Sequence, residues 1–387
     1  MNPFRSIKGK LFLLTLCVSL IPIAITTTTM AWAGSNPQVS TPDLSKHPTY
    51  AAYDFERGEG VINIGTQSVY MPTGLISETM KRDIILKTSL LEMGMKIRFY
   101  DFLKGDDVNF FLRRGDIDAG IVGDMPALTI AATLDVVITN MMQRGFTSIV
   151  ARRDVLLGGM RGRHIGYGFG SNAHYSLLQA LSAVGLNEED VHLIPMDIGE
   201  MPEALHSGKV DAFSAWEPTP TITLKKYKDT IIIYSKLNSG YLYFPKDFAI
   251  EHHDAMYHIV AAAMRAISWM QASDENLGRA SLWSRKSGEK LIGKSLEISD
   301  EEVARLAKED IIGMKQPCRI PKGDLELIGS LYYEFEFLKA LDKIPATADW
   351  SEVQNSFDKR IVEEILANPK KYRLYEYDYI EKEGSDE

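Results

Sequence analysis

At 387 residues the chain is longer than one ordinary hydrophobic core organises, so two domains are expected. Apolar residues make up 45% and charged residues 25%, the proportions of a folded globular protein, which excludes collagen-like, coiled-coil and broadly disordered classes. A formal net charge of −9 makes nucleic acid a poor partner, although a local pocket can still favour an anion.

The chain opens with Arg5, Lys8 and Lys10, followed by an apolar run over residues 11–25 that is broken by Thr15, Ser19 and Pro22, and then by Ala31-Trp32-Ala33. A positive start, a short apolar run and small residues flanking a cleavage point form the pattern of a secretory signal peptide over residues 1–33. The run falls short of the roughly 20 residues a spanning helix needs, which makes a retained anchor the lesser alternative. Cleavage would take the charge from −9 to −12 and leave Cys318 without an internal disulfide partner. The mature protein is therefore expected outside the cytoplasm.

Residues 34–57 are polar, punctuated by proline and aperiodic, as in a tether. A strand is expected at 61–64, then a loop over 65–74, a helix over 75–91, and an alternating strand over 96–102. Asp106 is placed to cap the next helix, whose Val108, Phe111 and Leu112 share one face. A buried strand follows at 119–122, and Gly123-Asp124-Met125-Pro126 opens another helix, with Pro126 suited to a first turn. A strand is expected at 136–141, and the alternation resumes after 146–153. The alternation then repeats, with strands at 164–168, 191–196 and 212–216 and helices after Gly170 and over 200–207, ending in strands near 231–234 and 242–244. Strands alternating with helices in two blocks predict two α/β lobes. From residue 254 the pattern turns helical, over 256–272, 276–286, 300–312 and 324–341, and these helices are expected to pack on the first lobe. The Tyr-rich, acidic end from 372 is expected to fray.

Three strand-to-helix junctions carry the candidate chemistry: 65–74, 123–126 and 170–174. Ligands of open α/β sheets sit beyond the C-terminal strand ends, where helix N-termini present unpaired N–H groups and partial positive charge. Several junctions converging on one cleft make an anion site without lysine or arginine. Gln67, Ser68, Ser171 and Asn172 add neutral polar groups, although caps alone would also explain Ser171, Asn172 and Asp124. A carboxylate at Asp124 would repel an anion unless it turns away to cap its helix. Trp216 ends a strand and either walls the cleft or fills a core. Glu217 meets a ligand cation, a backbone donor or a partner between lobes. No catalytic or metal pattern is found: His174 has no second His or Cys at metal spacing, the Gly166–Gly170 run lacks a Lys-Ser/Thr ending, and no Gly-x-Ser-x-Gly occurs. The expectation is no enzyme, no cofactor and no metal.

The run Gly170-Ser171-Asn172-Ala173-His174-Tyr175-Ser176-Leu177-Leu178 resembles a block of the periplasmic solute-binding proteins of aliphatic sulfonate and taurine ABC importers, in the nitrate/sulfonate/bicarbonate group. Gly115-Asp116-Ile117-Asp118-Ala119-Gly120 with Gly123-Asp124-Met125-Pro126, and Gly208-Lys209-Val210-Asp211-Ala212 with Trp216-Glu217-Pro218, are similar to two more blocks, and residues 338–345 to a C-terminal one. The resemblance spans about residues 61–365. It implies a type II periplasmic-binding-protein fold, with two α/β lobes joined by two crossover segments near 146–153 and 234–243. The corresponding division is lobe 1 over 58–147 and 238–365, lobe 2 over 148–237, and an acidic tail over 366–387. It further implies a small anionic ligand held by Gln67, Asp124, Met125, Ser171, Asn172, Trp216 and Glu217 and a membrane permease as partner; Ser68 and His174 are added as candidates beside them, and a monomer is expected. The first loop, with Tyr70-Met71-Pro72, departs from the family's pattern and leaves sulfonate, nitrate, carboxylate and pyrimidine-precursor ligands open, as it does a sensory role.

Overall fold

The computed structural model describes residues 43–58, 60–312 and 318–380; the expected signal peptide lies outside them. In one half of the molecule, β1 (Val61–Thr66), β2 (Lys96–Asp101) and β3 (Ala119–Gly123) run parallel in the order β2-β1-β3. They alternate with α1 (Thr73–Lys81), α2 (Ile84–Glu92), α3 (Gly105–Arg113) and α4 (Asp124–Ala131). The other half repeats the plan: β5 (His164–Tyr167), β6 (His192–Pro195) and β7 (Ala212–Trp216) run parallel in the order β6-β5-β7, with α5 (Asn172–Ala183), α6 (Met201–His206) and α7 (Thr219–Lys226).

Two long strands, β4 (Val136–Arg152) and β8 (Thr230–Pro245), belong to both halves. They pair antiparallel along their length; β8 joins β3 at one end and β4 joins β7 at the other. All eight strands form one sheet, β2-β1-β3-β8-β4-β7-β5-β6. The result is two α/β lobes joined by two crossovers. Sequence alone suggested a strand ending at 141, but the chain beyond it stays in the ladder to Arg152. Register shifts at Ile138/Asn140 and Met141/Gln143 absorb its irregularity as bulges, which bend a strand without ending it.

Helices α8 (Lys246–Glu251), α9 (His253–Ala272), α10 (Asp274–Ile292) and α11 (Asp300–Ile312) follow. Helix α9 is buried on most sides and packs on α1, α2 and α10, while α10 also packs on α1. These helices thus complete lobe 1, whose core runs unbroken from Ile62 and Ile64 to Ile361 and Ile365. Helices α12 (Ser330–Ala340), α13 (Trp350–Asn355) and α14 (Arg360–Ala367) close the order.

Three local readings change. The single helix expected over 75–91 is two, because Asp83 caps α2 by accepting from the Leu86 N–H at 2.9 Å. Helix α3 starts at Gly105, before Asp106, with no side-chain cap. Both chain ends that looked loose are anchored over their described residues. Tyr50 is buried against Phe102 and Phe111, and its hydroxyl donates to Asp107 at 2.6 Å and accepts from Leu103 N–H at 2.8 Å. Tyr372 and Leu374 are buried too, and Ile84 N–H donates to the Asp378 carbonyl at 2.9 Å. Single aromatic anchors hold these segments, and anchors of that kind leave no periodic trace in sequence.

Candidate functional site

Within each lobe the parallel strands end at the same edge, and the two edges face one another, as the rule for open α/β sheets requires. Between them lies a cavity of about 510 Å³. Lobe 1 contributes Gln67 and Tyr70 after β1, Lys104, Gly105 and Asp106 after β2, and Gly123, Met125 and Pro126 after β3. Lobe 2 contributes Gly168 to Asn172 after β5, Pro195 to Ile198 and Glu200 after β6, Lys209 before β7, and Trp216 at its end.

Of the residues singled out from sequence, Gln67, Met125, Ser171, Asn172 and Trp216 line this cavity; Ser68, Asp124, His174 and Glu217 do not. Gln67 is 6% exposed, and its side chain lines the cavity. Gly105 lets α3 approach it: a Cβ there would stand 2.4 Å from the Pro126 ring and 3.3 Å from Gln67 Oε1. Ser171 caps α5, and its hydroxyl donates to the Gly168 carbonyl at 2.7 Å. Gly170 precedes it at φ +70°, in the left-handed region glycine favours. Trp216 stands edge-to-face with Tyr70, ring centroids 6.0 Å apart, on the wall of the cleft.

The four residues outside the lining have structural roles. Asp124, the first residue of α4, accepts from Met125 N–H at 2.9 Å, Ser239 N–H at 3.1 Å and Asn172 Nδ2 at 3.2 Å. Its carboxylate is thereby turned from the cavity into a bridge between lobes. Burial pushes its pKa up, against the pull of Lys236 and the backbone donors. Ser68 is fully buried. Glu217 accepts from Thr221 N–H at 3.2 Å in the first turn of α7. His174 is buried against Tyr167 and Phe337, and burial, reinforced by Lys343, lowers its pKa to about 4. Its Nδ1 accepts from Gly170 N–H at 3.4 Å, so the proton of the neutral ring sits on Nε2; the 3.5 Å approach to Glu188 is not an ion pair.

Sequence reasoning missed Lys104, Lys209, Phe169, Met196 and Ile198. The signal was available, because the β2-to-α3 and β6-to-α6 junctions obey the same topological rule as the three glycine-rich ones. Lys104 reaches across the cleft to Asp197 at 2.8 Å. Lys343 bridges from the other side, 3.5 Å from Asp106 and 5.4 Å from the Phe169 ring centroid.

The site therefore combines three helix N-termini, the Gln67 amide and the ammonium groups of Lys104 and Lys209 with a wall of apolar side chains, and the carboxylates of Asp106, Asp197 and Glu200 lie on its rim, Asp197 held by Lys104. That set suits an anion attached to an apolar body. Among the described residues no group of three or more His, Cys, Asp or Glu is placed to hold a metal. Cys318 is buried away from the cleft, its thiol pushed up to about 12 by burial, which suppresses the reactive thiolate.

A family model described as the NMT1-like family matches residues 90–283, half of the chain. A candidate aliphatic sulfonates-binding protein of Bacillus subtilis (strain 168) is 25% identical over 284 residues, 70% of this chain and 80% of that protein. Among solved structures, the periplasmic sulfonate-binding protein SsuA of a candidate sulfonate ABC transporter from Methylobacillus flagellatus KT matches with a TM-score of 0.61 at 18% identity, covering 84% of this chain and 98% of that one. The alkanesulfonate-binding protein SsuA from Xanthomonas axonopodis pv. citri, bound to MOPS, matches with a TM-score of 0.57 at 17% identity, covering 78% and 99%. The shared architecture is the type II periplasmic-binding-protein fold.

Proposed function

The chain belongs to the NMT1-like family, and from that premise we propose that it is the solute-binding component of an ABC importer, holding a sulfonate-bearing anion between its lobes outside the cytoplasm. The observation that carries this reading is a cavity of about 510 Å³ onto which six strand ends converge from two lobes, with the Gln67 side chain in its lining. An amide that faces the cavity can donate to a guest oxygen there. The N-termini of α3, α4 and α5 add N–H groups and dipole, and Lys209 adds charge, while Lys104 is held by Asp197.

The reading involves no chemistry on the guest. The guest touches both lobes, so it binds the closed arrangement better and shifts the population toward it; that shape is what the membrane permease would recognise. The similarity to proteins named for sulfonate binding favours a sulfonate over nitrate or a carboxylate.

The test is a thermal-shift panel of taurine, ethanesulfonate, hexanesulfonate, nitrate, bicarbonate and acetate. A sulfonate at 100 times its Kd stabilises the fold by about 2.7 kcal/mol through mass action. No shift with any sulfonate, or a larger one with nitrate or acetate, would overturn the assignment.

A further inference from the structure

Helix α5 is divided between the lobes. Its Leu177, Ala180 and Leu181 are buried in a core of lobe 2, while its Tyr175 is buried in the core of lobe 1. What receives Tyr175 there is α12, whose Leu331, Phe335 and Leu338 belong to that core. The Phe337 ring of α12 meets Tyr175 at 5.0 Å and His174 at 5.2 Å between centroids. Lys236 on β8 closes the patch: its ammonium lies 4.1 Å from the Tyr175 ring centroid and donates to Glu334 of α12 at 2.8 Å.

The turn after α12 reaches further. Lys343, next to the lobe 1 core residue Ile344, lays its stem along the backbone of Gly170, where a Cβ would overlap Lys343 Cε and stand 3.0 Å from Nζ. Its ammonium is 5.4 Å from the Phe169 ring centroid, within cation–π range, and 3.5 Å from Asp106 on α3. Phe169 and Gly170 line the cavity and lead into the N-terminus of α5. These contacts cross from lobe 1 to lobe 2 and rest on rings and alkyl stems, which salt does not screen. The Lys104–Asp197 bridge is of another kind: its side chains are 59% and 68% exposed, and such a pair adds little.

We propose that α12 and the turn after it form a clasp that holds lobe 2 closed on lobe 1 before any guest arrives, with Phe337 and Lys343 as its positioning residues. By the same contacts they fix the N-terminus of α5 at the cleft. The clasp acts on the lobes and not on the guest, so it stands apart from the sulfonate reading. Because the closed state already dominates, the apparent affinity for a guest approaches the intrinsic one. Entry is slowed in return, since the guest waits for the clasp to part.

Double electron–electron resonance on the purified protein, with no ligand added, tests it. Spin labels go on Lys96→Cys, at the start of outer strand β2, and Glu189→Cys, just before outer strand β6; Cys318 is buried and stays unlabelled. One short-distance population is expected. Phe337→Ala lowers the closed-to-open ratio about tenfold, through two lost ring contacts. Lys343→Ala lowers it about fivefold, and the double variant about fiftyfold if the two act independently. Both side chains are only partly buried, so the variants keep the far-UV circular dichroism of the natural protein. Lys104→Ala shifts the ratio less than either. A dominant long-distance population in the natural protein overturns the clasp, as does an unchanged distribution in the double variant. Wider opening by Lys104→Ala than by the double variant also overturns it, by placing closure at the rim. None of these outcomes bears on which anion the cleft prefers, which the thermal-shift panel decides.

Discussion

The two lobes share a strand plan and differ in how the chain supplies them. Lobe 2 is built from one stretch, with β4 and β8 at its boundaries. Its sheet carries a small core on each face: Ile149, Ala151 and Ile165 under Leu177 and Leu181 on one side, Val150, Phe213 and Ala215 under Met201 and Leu205 on the other. Lobe 1 gathers segments from nearly the whole described chain into one core. Its fully buried Arg265 on α9 donates to Asp83 at 2.7 and 3.0 Å and to the Tyr372 carbonyl at 2.8 Å, tying an early segment of the chain to two late ones. The difference teaches that a repeated topology need not mean repeated mechanics: one lobe is a braced frame, the other a self-contained unit mounted on two strands.

The largest expected effect breaks the frame. Arg265→Met strands the Asp83 carboxylate in the core and should cost about 3–5 kcal/mol in urea denaturation. A loss under ~1 kcal/mol would mean that lobe 1 does not depend on this tie.

A core deletion in lobe 2 sharpens the contrast. Leu181→Ala should cost about 2–5 kcal/mol through the cavity it leaves. Hydrogen exchange should show the loss of protection confined to β5, α5 and their neighbours, with β1 and β3 retaining theirs. Equal losses in both lobes would remove the distinction drawn here.

The smallest effect lies at the seam. Helix α12 packs on α4 of lobe 1, while its Phe337 ring meets His174 and Tyr175 of lobe 2 at 5.2 and 5.0 Å. Its Glu334 accepts from Lys236 on the β8 crossover at 2.8 Å. Burial, then repulsion from Asp124, pushes the Glu334 carboxyl from 4.5 up to about 8, with Lys236 opposing. The folded state therefore holds this proton more tightly than the unfolded one. Stability from this group is full below pH 4.5 and drains away as pH rises toward 8. Relative to Glu334→Gln, the natural protein should lose on the order of 2 kcal/mol over that window, a figure that discounts the ~1.4 kcal/mol per unit for relaxation around a coupled pair. Parallel pH profiles for the two proteins would refute the buried-proton account.

The sequence announced the lobes because both blocks alternate strand and helix, and because β1 and β3 read as short apolar runs. It placed Gln67, Ser171 and Trp216 at strand-end junctions, and each lines the cavity between the lobes. It did not announce that Asp124 would be spent between lobes, since a cap and a ligand contact share one local signature and only the position of Asn172 separates them. Lys104 was hidden for a related reason: without the fold, a lysine before a helix is one surface charge among many. Tyr50 and Tyr372 escaped notice because a buried residue in an aperiodic segment reports nothing to its neighbours.

The carbonyl of Tyr372 beneath the Arg265 guanidinium also sets a schedule. A ribosome delivers the middle of the chain long before its end, so lobe 2 has every part it needs while lobe 1 still lacks its closing piece. The Arg265 tie within the larger lobe can then form only after residue 372 has been made.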